Sequence, residues 1–190
     1  IASLAVMEDA EKLKKRSLDS AIRDEIESNV EVVIWTPSSS KGIPLCINPL
    51  QFEGMDKMER EDRIRYLAST AKNISSLIGY DLDSDDGKSA ESVLSTIFDH
   101  SINNNTRLND FGAVISILQD IPKSIEPLIS SISTSRLIKE LTKKLSLLTV
   151  GTRKLLFQSG VPASIESLLG LNMETGKTRV SVIYLNSLAS

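Results

Sequence analysis

The sequence is poor in the side chains that most often carry chemistry. Among 190 residues it has one cysteine, Cys46, and one histidine, His100. A lone cysteine excludes an internal disulfide and fits a reducing compartment. A lone histidine leaves too little material for a zinc site or a serine–histidine triad. No run approaches the ~18 consecutive apolar residues of a membrane span. The opening IASLAVMEDAEKL has neither the basic start nor the long apolar stretch of a signal peptide. These absences point to a cytoplasmic chain with no membrane partner. Charge of one sign is lacking too. With 22 basic against 25 acidic side chains, the net charge of -3 gives no overall electrostatic footprint for nucleic acid.

What is present is an ordinary globular composition, 41% apolar and 25% charged. The length suits one domain, or one domain with extra pieces, and is enough to bury a sizeable core. The chain begins at Ile1 rather than methionine and ends on YLNSLAS directly after a strand-like run. The expectation is a piece of a longer protein.

Hydrophobic periodicity predicts helices over Glu8–Ser28, Asp56–Leu77, Lys88–Asn103, Phe111–Leu118 and Thr134–Leu148. SIEPLISSI reads as a short or bent helix after Pro122, and GTRKLLFQSG and PASIESLLG as two more short helices. Asn109 or Asp110 is placed to cap the helix at Phe111. Two β-branched runs, Val30–Trp35 and Arg179–Leu185, read as strands. Between them, PSSSKGIPLCINPL reads as an irregular loop.

About six or seven helices therefore lie between two strands roughly 140 residues apart, far more than the ~12 residues a parallel crossover needs. Two strands alone make a marginal sheet. The fold class expected is mainly α, a helical domain inserted between two short strands of a larger α/β sheet. In that division residues 1–50 are partial α/β core, 51–175 the helical insertion and 176–190 the returning core strand. The two strands should lie side by side, or pair with strands of another copy.

GLNMETGKTRVSVIYL imitates a phosphate loop. However, five residues separate Gly170 from Gly176 where the signature has four, and the strand follows the lysine instead of preceding it. Gly176, Lys177 and Thr178 read as a turn feeding a strand. Asp81, Asp83, Asp85, Asp86 and Gly87 resemble a calcium loop, but the sixth position is Asp86 and the twelfth Ser92. That run reads as an acidic turn in which an aspartate or Ser84 caps the next helix. His100, beside Phe98 and Ile102, reads as a partly exposed packing residue, and Cys46 as a small buried one. The basic clusters Lys12–Arg16 and Lys139–Lys144 contain no interleaved aromatics and read as solvated helix faces. The leucines of Thr134–Leu148 read as core. The sequons at Asn73 and Asn104 carry no weight without a secretion signal. No catalytic, cofactor-binding or metal residue is assigned.

One family resemblance covers most of the chain. VEVVIWTPSSSKGIPLCINPL, through Thr36, Pro37, Gly42, Ile43, Pro44 and Leu45, resembles the segment of HerA-type helicases in which a strand leads to Thr-Pro and then Gly-Ile-Pro-Leu. FQSGVPASIESLLGLNMETGKTRVSVIYLNSL resembles the later part of the same region, through Gly160, Pro162, Ile165, Leu168, Leu169, Gly176, Lys177, Val180, Ser181, Val182, Ile183, Leu185 and Leu188. The opening IASLA resembles the stretch just after the second core strand of that family. The helical middle matches in length and pattern only.

The resemblance implies a fragment of a HerA/FtsK-type, RecA-like P-loop ATPase, a branch whose members form ring-shaped, usually hexameric motors that translocate DNA, often with a nuclease partner. ATP and magnesium are then expected for the parent and not for this chain, which lacks the phosphate loop, an apolar strand ending in Asp-Glu and an assignable arginine finger. The helical insertion would serve interaction or regulation. The alternative is an autonomous helical adaptor that binds another protein through a leucine face. A third reading is a nucleic-acid-binding helical domain using Lys12, Lys14, Lys15 and Arg16.

Overall fold

The computed structural model describes residues 20–39, 42–171 and 176–185. Among these the chain is mainly helical, with eight α-helices and four short strands in two small sheets. In chain order the elements are α1 (Ser20–Asn29), β1 (Val30–Trp35), β2 (Leu45–Cys46), a 3-10 turn at Met55–Lys57, α2 (Arg60–Leu77), α3 (Asp85–Asn103), α4 (Phe111–Gln119), α5 (Glu126–Ile132), α6 (Ser135–Ser146), α7 (Gly151–Gln158), β3 (Val161–Pro162), α8 (Ile165–Leu169) and β4 (Thr178–Ile183). The opening IASLA, the expected helix before Ser20 and its cluster Lys12–Arg16 lie outside the described residues, as does Leu188.

The described residues form two compact units, one from residues between 20 and 47 together with those between 158 and 185, the other Asn48–Phe157. The helical unit folds around a core of its own. Three of its helices, α3, α4 and α6, start where a short polar side chain occupies a free amide of the first turn. Ser84 accepts from Gly87 N, Asp110 from Ala113 N and Thr134 from Leu137 N, at 3.0, 3.0 and 3.2 Å. The apolar face of α3 (Ala90, Val93, Leu94, Ile97, Phe98) is fully buried, α2 packs along it with Leu67, Ala71 and Ile74, and α4 packs along α6. Two ring pairs close the unit. Phe52 is tilted against Phe98 at 5.1 Å, and Phe111 meets Phe157 edge to face at 5.3 Å. Pro122 and Pro127 account for the short α5, whose second residue is Pro127, a ring tolerated only in a first turn.

The other unit is built on strands. β1 and β4 pair in parallel, from Val30 opposite Thr178 to Trp35 opposite Ile183, so the two strand-like runs do lie side by side. The stretch 37–50, expected to be an irregular loop, contains β2, which pairs in parallel with β3, Leu45 opposite Val161 and Cys46 opposite Pro162. Trp35 also bridges to Ile43. Val33, Trp35 and Leu45 form the buried centre, with Ile43, Ala163 and Leu168 against it. Gly160 stands at φ 112°, and a Cβ there would run into the Pro44 carbonyl, so this close approach of backbone to backbone needs glycine.

Candidate functional site

The strand unit gathers the residues that the sequence singled out as a lookalike phosphate loop and as the two ends of a family resemblance. Gly176 is left-handed at φ 64° and turns the chain into β4, whose first residue is Thr178. Lys177 Nζ donates to the Glu27 carbonyl at 2.7 Å. Glu27 lies in the last turn of α1, where unpaired carbonyls concentrate negative potential, so the lysine serves as a C-terminal cap. A phosphate loop needs its backbone amides and lysine to converge ahead of a helix N-terminus. Here the lysine is spent on a carbonyl and a strand follows. Residues 172–175 of this segment lie outside the described residues.

Behind that turn lies a polar network between the strands and α8. Arg179 donates from Nε and Nη2 to Glu31 Oε2, at 2.9 and 2.8 Å, and from Nη1 to the Ser167 carbonyl at 2.8 Å. Glu31 and Arg179 are register partners, so the parallel pairing itself places them together. Trp35 Nε1 donates to Ser181 Oγ at 2.8 Å, and that hydroxyl donates to the Leu168 carbonyl. Both chains of bonds end on carbonyls of the short α8 and fix it to the sheet. Segments of the two flanking motifs, more than a hundred residues apart in sequence, thus meet: Val161 N donates to Pro44 O at 2.9 Å and Ala163 N to Cys46 O at 2.8 Å.

The other candidates are structural in their geometry. In the acidic turn, Asp81 Oδ1 accepts from Asp83 N, Ser84 Oγ donates to Asp81 O, and Asp86 pairs with Arg136 at 2.7 Å. Asp81 thus faces a turn amide and Asp86 a guanidinium, and no cluster able to hold a metal ion occurs among the described residues. His100 is half-buried on α3 with Nδ1 3.1 Å from the Asn104 amide, on the wall of a groove. Cys46 is buried, and burial pushes its thiol up against the smaller opposing effect of a hydrogen bond to the Ser159 backbone.

In the cluster Lys139–Lys144, Lys144 pairs with Glu140 at 3.4 Å and lies 3.9 Å from the Tyr80 ring centroid. The leucines Leu137, Leu141, Leu145 and Leu148 are fully buried, as core leucines would be. No described helix is long and apolar enough to cross a membrane. Sequence reasoning missed Glu31, Arg179 and the Trp35–Ser181 bond, because each depends on a pairing across nearly the whole chain.

By class, then, the described residues form a mainly helical protein with small parallel sheets. No family model, curated protein or solved structure matches it.

Proposed function

We propose that this chain is the helical insertion region, with short pieces of core sheet, of a HerA/FtsK-like ATPase, and that its helical unit serves interaction or regulation without catalysing a reaction. The observation that carries the reading is the parallel pairing of β1 with β4. Parallel strands occur in sheets covered on both faces and extended by neighbours. Among the described residues the pair has only two strands, and β4 leaves Val180, Val182 and Ile183 close to half exposed. Such a pair is what a larger α/β sheet leaves when its other strands belong to a different part of a protein. The meeting of the Gly-Ile-Pro-Leu segment with Gly160–Pro162 supports it further, since both stretches carry the resemblance.

On this reading ATP and magnesium are handled by the parent ATPase outside this chain, and the parent is a cytoplasmic DNA-translocating ring with a nuclease partner. The decisive observation is the full reading frame. A Gly-x4-Gly-Lys-Ser/Thr upstream and an apolar run ending in Asp-Glu downstream are expected, and an initiator methionine immediately before Ile1 would overturn the reading. A second test is calorimetric titration of the chain with ATP and magnesium. No binding is expected, whereas micromolar binding abolished by Lys177→Ala would return the phosphate loop to this segment.

A further inference from the structure

Two surfaces of the helical unit carry exposed aliphatic side chains and opposite charge. The first is a groove of about 640 Å³ between α2, α3 and the start of α5. Its apolar lining includes Ile64 and Leu128, 50% and 52% exposed. Its charged lining is acidic, Glu91 and Asp99, with no lysine or arginine. Asp99 is partly offset by Arg63 at 3.7 Å, whereas Glu91 has no ion-pair partner among the described residues.

The second surface is the corner where α6 turns into α7. Leu147, Val150 and Leu155 stand 51%, 58% and 40% exposed there. Lys143, Arg153 and Lys154 are exposed around them, and no acidic residue occurs between Leu141 and Ile165. None of these three cations forms an ion pair among the described residues. Aliphatic side chains clustered at one exposed corner mark an association surface more often than isolated ones do. A basic fringe directs such a knob to an acidic groove and away from its own kind.

We infer that the groove of one copy receives the α6–α7 corner of a second copy of this chain, seating Leu147 and Val150 on Ile64 and Leu128 with Arg153 and Lys154 facing Glu91. Both surfaces lie within Asn48–Phe157, so the association does not depend on the ATPase reading. Because groove and corner are different surfaces, the contact is head-to-tail, and a copy joined at one end still offers its other end.

Sedimentation velocity on the full chain over a concentration series tests this. The average mass should rise with concentration and fall back as salt is added, since the guiding charges are exposed. Glu91→Lys, and separately the pair Arg153→Glu with Lys154→Glu, should each weaken self-association by at least about tenfold while leaving the helical circular dichroism unchanged. An equimolar mixture of the two variants should associate again, since the intact corner of one meets the intact groove of the other and the two reversed surfaces are once more of opposite charge. A wild-type chain that stays monomeric at its highest soluble concentration would overturn the inference, as would a mixture that does not associate. Association unaffected by either reversal would also overturn it, and would place the contact elsewhere, for example on the exposed face of β4.

Discussion

Tyr80 is the residue at which burial and charge act most plainly against each other. It is 8% exposed, its hydroxyl has no hydrogen-bond partner among the described residues, and Lys144 covers its ring. Burial, reinforced by the carboxylates of Glu140 and Asp86 and opposed by Arg136, pushes its phenol up to about 12. An unfolded chain releases that proton near 10. Between those values the unfolded state binds fewer protons than the folded one, so stability falls as pH rises through the window and is intact below it.

Tyr80→Phe should therefore flatten the alkaline loss by on the order of 1–2 kcal/mol. Near neutral pH it should raise stability by about 1 kcal/mol, because the hydroxyl it removes is buried without a partner among the described residues. Urea denaturation of both proteins at about pH 7 and about pH 11 checks this. Equal alkaline losses in the two would sink the assignment. At this scale the sequence was informative where chemistry is local. An aspartate or Ser84, and Asn109 or Asp110, were readable as caps because a cap and its amide are three residues apart, and Ser84 and Asp110 are the ones that bond. Tyr80 did not stand out, because Glu140 and Lys144 reach it from α6.

The same division between local and distant holds for the elements. The strand Val30–Trp35 was legible from its β-branched run, and the helices from their periodicity, because those signals are complete within each segment. β2 and β3 were not. Each has only two residues, too few for an alternation, and each exists because the other is there to accept its amides. Nor was the content of the strand unit's network legible: Glu31 and Arg179 are ordinary charges until parallel register sets them opposite one another.

That network should hold the β1–β4 pair together more than its small core does. Arg179 is 9% exposed along its side chain and satisfies Glu31 and the Ser167 carbonyl at once. Arg179→Ala leaves a half-buried carboxylate and a carbonyl without their donor, and is expected to destabilise this unit by about 2–4 kcal/mol. Arg179→Lys should recover only part of that, since one ammonium cannot span both acceptors. Trp35, the chain's single tryptophan, is in the same unit and reports the change by fluorescence during denaturation. An Arg179→Ala protein whose tryptophan transition does not move would reduce the network to surface decoration.

For the whole molecule, the physical asymmetry between the two units matters most. The helical unit buries 21 hydrophobic residues in one core. The strand unit centres on Val33, Trp35 and Leu45, with a two-stranded parallel pair that has no further strand among the described residues. At roughly 25 cal/mol per Å² of apolar surface removed from water, a core several times larger confers a correspondingly larger driving force. The two units should therefore unfold separately. Trp35 emission follows the strand unit alone, while helical circular dichroism follows mainly α2–α7.

In a urea series the tryptophan transition should come at lower urea than the loss of helix, and Asn48–Phe157 produced alone should keep a cooperative helical transition near that of the full chain. A single transition by both probes, together with an unfolded Asn48–Phe157, would mean that the helices need the strands to fold. The helical unit would then be no independent insertion. If the transitions separate, the helical unit folds by itself, as the proposed insertion requires. On the proposed ATPase reading, a longer chain carrying the expected neighbouring sheet strands should raise the tryptophan transition and leave the helical one where it was.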